Sequence, residues 1–176
     1  MRGPKLDRID RQILALLQED GRMTNIELAR RVGISPPPCL RRVRALEEAG
    51  LIRGYHAQLA AEALGFAVTV FAQIGLQSQA ESDLKAFEAL VAEWPEVREA
   101  HMLAGETDFL LKIVASDWDS YQRFLSARLT AAPNVAHVKS ALVLRVSKSA
   151  PGVPFAAEAT DAGSVGPQRV AVARGR

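Results

Sequence analysis

TNIELARRVGISPPPCLRRVRALEEAG, residues 24–50, decides how the N-terminal third folds. Thr24 can cap a helix, with Glu27 three positions on as in a capping box, and Gly33 supplies the stop. Ser35 then opens a second helix, because Pro36 is tolerated in a first turn and Pro37 and Pro38 fall where no intrahelical N–H bond is lost. Ala49-Gly50 ends it. Two helices joined by a tight turn at Gly33 form the helix-turn-helix pattern. Upstream, Leu6, Ile9, Ile13, Leu16 and Leu17 recur at three-and-four spacing, which predicts a third helix closed by Asp20-Gly21.

At about 100° per residue, Cys39, Leu40, Val43 and Leu46 fall in one sector of the helix after Ser35 and are expected in the core. Arg41 and Arg44 point the other way with Ala45, and Arg42 lies at the margin. An apolar back and a cationic front suit a helix that enters the DNA major groove, where the planar arginine fork binds guanine or clamps phosphate. The DNA-binding set read here is Thr24, Asn25, Ser35, Pro37, Pro38, Arg41, Arg42 and Arg44. Ser35 and the backbone N–H groups of its helix's first turn are expected at a phosphate, and Arg2, Lys5 and Arg8 extend the basic footprint. The competing reading is a solvated face on which the arginines pair with Glu47 and Glu48.

Further along, the pattern changes. LIRGYHAQL (51–59) has strand-like composition, as a wing or connecting strand, and 60–66 reads as a linker with a helical turn. Strands are then expected over 67–76, 97–105, 108–116 and 135–149, and helices over 80–94 and 118–132, the second capped by Asp117. The order β-α-β-β-α-β implies a ferredoxin-like domain, one antiparallel sheet with both helices on a single face. The expected domains are thus 1–54, a helix-turn-helix; 55–66, connecting strand and linker; 67–149, the ferredoxin-like unit; and 150–176, a flexible tail rich in Gly, Ala, Pro and Ser.

Charge follows this division. Residues 1–54 carry eleven Lys and Arg against seven Asp and Glu, a balance of +4. Residues 55–149 carry eight against eleven, or −3, and 150–176 carry three against two, or +1. A basic module on a mildly acidic body fits nucleic-acid binding by the first part. No apolar run is long enough to span a membrane and the N-terminus is charged, so a cytoplasmic protein is expected. Cys39 is the single cysteine, which excludes an internal disulfide; no metal and no cofactor are expected.

LDRIDRQILALLQEDGR, TNIELARRVGISPPPCLRRVRALEEAGLIRGY and HMLAGETDFLLKIVASDWDSYQRFL resemble the Lrp/AsnC, or feast/famine, regulators over about residues 5–149. SPPPCLRRVRALE is most similar to the leucine-responsive branch, and GETDFLLK resembles the signature of that family's effector-binding (RAM) domain. The resemblance implies an α+β protein, a winged helix-turn-helix followed by the ferredoxin-like βαββαβ domain. It implies a transcription regulator that binds palindromic double-stranded DNA and answers to an amino acid by a change of oligomeric state or dimer geometry. It also implies a homodimer that assembles into tetramers or octamers, with the effector between dimers. The effector-binding residues it implies are His101, Met102, Leu103, Ala104, Gly105, Glu106, Thr107, Asp108 and Ser140.

The chemistry of that turn is compatible with the implied ligand. Asp108 offers an anion for an ammonium, and the backbone at Gly105 offers close N–H donors for a carboxylate. Gly105 and Asp108 also suit a plain hairpin turn. An enzyme lacks support, because there is no phosphate loop, nucleophile elbow, paired carboxylate or metal cluster. An RNA-binding module of the same strand order would display stacking aromatics, whereas these strands are aliphatic with Phe71 and Phe109 isolated.

Overall fold

The computed structural model describes residues 5–155. Arg2 and most of the expected tail, including its three arginines, lie outside the described residues. Two compact units are distinguished, residues 5–57 together with 150–155, and Gln58–Ser149.

In the first unit the leucine-isoleucine stripe forms α1 (Arg8–Glu19) and the opening motif forms α2 (Asn25–Val32) and α3 (Pro36–Glu48). Ile13, Leu28, Ala29, Val32, Cys39 and Leu46 make the shared core, with Leu6, Ile9, Val43 and Ile52 packed at its edge. Gly33 takes φ +75°, the left-handed conformation that lets α2 stop within one residue. A full capping box forms, but at α1. Asp7 Oδ1 accepts from Asp10 N at 2.8 Å, and Asp7 N donates to Asp10 Oδ2. At α2 only half of the expected box forms. Thr24 Oγ1 accepts from Glu27 N, while the Glu27 carboxylate is drawn to Arg30 and Arg31.

Residues 51–60 carry no strand, so the expected wing segment has no ladder partner within one chain. Residues 150–155, expected as the start of the tail, lie against α1 instead. Gln18 accepts from Val153 N at 2.9 Å and donates to Val153 O at 2.8 Å, and the Arg11 guanidinium stands 5.7 Å from the Phe155 ring centroid.

The second unit contains a short 3-10 turn (Glu62–Leu64) and then β1 (Val68–Leu76), α4 (Glu81–Ala92), β2 (Val97–Met102), β3 (Phe109–Ala115), α5 (Trp118–Phe124) and β4 (Val135–Leu142). The strands form one antiparallel sheet in the order β2-β3-β1-β4. Val70, Ala72, Ile74, Phe109, Leu111 and Ile113 face the helices and meet Phe87, Val91, Trp94, Tyr121, Phe124 and Leu129. The Asp117 side chain caps α5 by accepting from Ser120 N at 2.6 Å. Gly75 is glycine for contact reasons, since a Cβ there would overlap the His137 ring on the neighbouring strand.

Three elements depart from expectation. The strand expected over 97–105 ends at Met102. The helix over 118–132 changes at Leu125 into a π-helical turn, Leu125–Leu129. Residues five apart on an α-helix diverge by about 140°, whereas the wider turn lets Phe124 and Leu129 both reach the core. Hydroxyls of Ser126 and Thr130 bond to the carbonyls of Gln122 and Leu125 and compete with the regular ladder. The last strand stops at Leu142 rather than 149.

Candidate functional site

Proline governs the front end of α3. Pro36, Pro37 and Pro38 fill its first three positions, so the turn expected to offer N–H groups to a phosphate has none. The first available amide, Cys39 N, already donates to Ser35 O at 3.2 Å. Ser35 sits at the N-cap with no capping hydrogen bond, because the positions it would cap carry no hydrogen. Among the described residues its exposed hydroxyl makes no hydrogen bond.

Core contact then sorts the rest of the helix. Cys39 and Leu46 are buried with Arg42 and Val43 half-buried beside them, a seam at i, i+3, i+4 and i+7. Leu40, expected in the core, lies outside that seam and is 39% exposed. Pro37, Leu40, Arg41 and Arg44 repeat the same spacing on the solvent side. Among the described residues neither Arg41 nor Arg44 is paired with a carboxylate. The alternative pairing with Glu47 and Glu48 does not form among the described residues; Glu47 instead accepts from the Tyr55 hydroxyl at 3.0 Å.

Arg42 is placed apart from the other two. Its Nη1 lies 2.7 Å from both Asp7 Oδ2 and Asp10 Oδ1, joining α3 to the start of α1. The Asp10 backbone N–H, then the Arg42 guanidinium, hold the Asp7 carboxyl below its ordinary range. Asn25 is also drawn inward, with Nδ2 donating to Pro36 O at 2.8 Å across the helix-turn-helix. Thr24 caps α2. Beside them Glu27 is clamped by Arg30 and Arg31, which lower its pKa to about 2. Of the DNA-binding set, then, Ser35, Pro37, Arg41 and Arg44 share the solvent face, Pro38 is half-buried, and Arg42, Asn25 and Thr24 brace it.

In the second unit, residues 103–108 join β2 to β3. The strand register sends His101 to the sheet face away from the helices, opposite Leu110, and Met102 to the helix face, opposite Phe109. His101 is exposed and lies 3.3 Å from Glu99 Oε2. Met102 lines a groove of ≈ 340 Å³ with Val91, Arg98 and Phe109. Leu103, Ala104, Gly105 and Glu106 are exposed, and Thr107 is half-buried. Gly105 has an ordinary φ and open space where a Cβ would stand, so nothing within the chain demands glycine there.

Asp108 is buried at 9% exposure, and both carboxylate oxygens are engaged within the chain. Oδ2 accepts from Leu76 N at 2.7 Å, and Oδ1 accepts from Gln79 Nε2 at 2.8 Å. Ser140 stands opposite Ala72 on β4, its hydroxyl bonded to the Tyr121 hydroxyl. Strands β3 and β1 separate β4 from β2, so one chain does not bring Ser140 together with the 101–107 turn. Sequence reasoning missed Leu40, which the 39-42-43-46 seam marks out, and Gln79, for which 29 residues of separation leave no local signal.

Comparison with known proteins bears on both units. A family model described as winged helix-turn-helix DNA-binding matches residues 6–53. The model described as the Lrp/AsnC ligand binding domain matches residues 69–153. A leucine-responsive regulatory protein of Rhizobium meliloti is 56% identical over 146 residues, 83% of this chain and 94% of that protein. One from Salmonella typhimurium is 42% identical, again over 83% of this chain and over 89% of its own length. Among solved structures, a transcriptional regulator from Neisseria meningitidis in complex with L-Met matches with a TM-score of 0.81 at 38% identity, covering 85% of this chain and 97% of that one.

Proposed function

The chain belongs to the Lrp/AsnC family of DNA-binding transcriptional regulators, and we propose that it reads DNA through the Pro37–Arg44 stripe and answers to an amino acid held between copies of itself. It is a sequence-specific regulator responsive to a small effector, not an enzyme. Among the described residues no helix is long and apolar enough to cross a membrane.

Two arginines on the solvent face of α3, unpaired among the described residues, carry the DNA reading. Arg41 and Arg44 stand one turn apart, close enough for one helix to address neighbouring guanines or phosphates. The Ser35 hydroxyl is the donor nearest the leading end. Two-fold dimers suit palindromic half-sites spaced by about 10 bp or a multiple. Arg41→Ala and Arg44→Ala are each expected to weaken specific binding by roughly 1–3 kcal/mol at fixed salt. Gel shifts showing unchanged operator affinity in both variants would remove those residues from the interface.

An amino-acid effector is supported by the L-Met complex of the similar regulator and by relatives called leucine-responsive. The exposed turn at 101–107 and the open space over Gly105 fit a ligand that approaches the backbone closely. Asp108 serves this reading as a positioning residue, since its oxygens already hold the end of β1. The sheet face away from the helices carries Phe71, Leu110, Val114 and Ala141, which suits face-to-face packing of two sheets into a dimer. Tetramers or octamers built from such dimers supply the second chain that would bring Ser140 of one copy near the turn of another.

A further inference from the structure

The leading end of α3 is apolar. Three successive prolines strip it of N–H donors, and Pro36 and Pro37 are exposed. Leu40 stands three residues past Pro37 and four before Arg44, 39% exposed, beyond the seam that Cys39, Arg42, Val43 and Leu46 make with the core. A leucine in that position is only partly covered by its own unit and leaves apolar surface open on the face that carries Arg41 and Arg44. On the same face, Arg41 and Arg44 supply the charge that draws a polyanion.

The major groove offers one apolar group, the C5 methyl of thymine, and the first residues of a recognition helix are those that reach the base edges. We infer that Leu40 and the Pro37 ring read thymine methyls, so that each half-site is recognised by an apolar contact beside the arginine contacts. This rests on the DNA-binding reading above and adds to it a specificity-determining pair. The chemistry is one-sided. Neither residue can hydrogen-bond a base edge, so each discriminates only by burying the C5 methyl that thymine has and cytosine lacks.

The test uses the full chain and the tightest duplex it selects from a randomised library. That duplex is remade with deoxyuridine at each thymine in turn, which removes one methyl and leaves base pairing intact. At one or more thymines per half-site, affinity at fixed salt is expected to fall roughly two- to fivefold. Leu40→Ala should then bind the thymine and deoxyuridine forms equally at one or more of those positions, while Leu40→Met keeps the difference. Should no deoxyuridine weaken the unmodified protein, the inference fails without any variant having to fold. It fails equally if Leu40→Ala retains the full penalty at every sensitive thymine. Selection that yields no preferred sequence at all would strike the DNA-binding reading itself, so the two failures are distinguishable.

Discussion

Arg41, Arg42 and Arg44 fall within four residues of one helix, yet two carboxylates at the head of α1 capture only the middle one. Asp7 and Asp10 each stand 2.7 Å from Arg42 Nη1, and the Arg42 side chain is 34% exposed. Solvent therefore weakens the pairing, and Arg42→Ala should cost about 1 kcal/mol, the upper end for exposed pairs because two carboxylates act together. The loss should appear as a lowered denaturant midpoint, with the order of preference among duplexes unchanged. Arg41→Ala should behave oppositely, sparing the midpoint and weakening DNA binding. The pH dependence follows from Asp7. Its folded-state pKa is lowered, so its contribution is complete above the ordinary carboxylate value of 3.8 and is lost as pH falls through the lowered one. Arg42→Ala should therefore lose less of its midpoint than the unmodified protein over that acid range. If Arg42→Ala instead changed which duplex is preferred, Arg42 would belong on the reading face after all. Wheel geometry placed Arg42 at the margin, and what it could not supply was Asp7 and Asp10, more than 30 residues away.

Helix ends show how far element boundaries follow from local chemistry. Gly33, Asp117 and the three-and-four stripes are local signals, and α1, α2, α4 and β1 fall close to where they point. The elements that differ are those whose extent depends on distant partners. After Leu142 the chain keeps strand composition, but beyond the bond from Val143 N to Thr69 O its partner β1 has run out at Val68, and the π turn at 125–129 answers to the spacing of core contacts under Phe124 and Leu129. The two N-caps of the helix-turn-helix sharpen the point. Thr24 and Ser35 read alike, but Thr24 receives the Glu27 N–H and Ser35 faces three prolines. Thr24→Ala should thus destabilise the N-terminal unit by about 1 kcal/mol. Ser35→Ala should leave the melting temperature nearly unchanged and weaken DNA binding. A comparable stability loss in Ser35→Ala would mean that its hydroxyl caps something the geometry does not show.

At the scale of the whole molecule, the residues implied for the effector do not converge in one chain. His101 and Met102 point to opposite faces of the sheet, the 103–107 turn is open to solvent, and Ser140 lies two strands away. Sequence resemblance named these positions but carried no information on which chain contributes which. If two copies complete the site, effector affinity and assembly are linked, and each must strengthen the other by the same factor. An amino acid that raises the melting temperature in a screen of the twenty should also shift the mass distribution seen by light scattering. Its apparent affinity should tighten as protein concentration rises through the assembly range and weaken on dilution. Ser140→Ala should reduce that coupling while leaving DNA binding in the absence of effector intact, since Ser140 lies in the unit that does not carry α3. An effector that binds with one affinity at every dilution, without moving the mass distribution, would place the whole site within a single chain and leave the open turn at Gly105 without a role in binding.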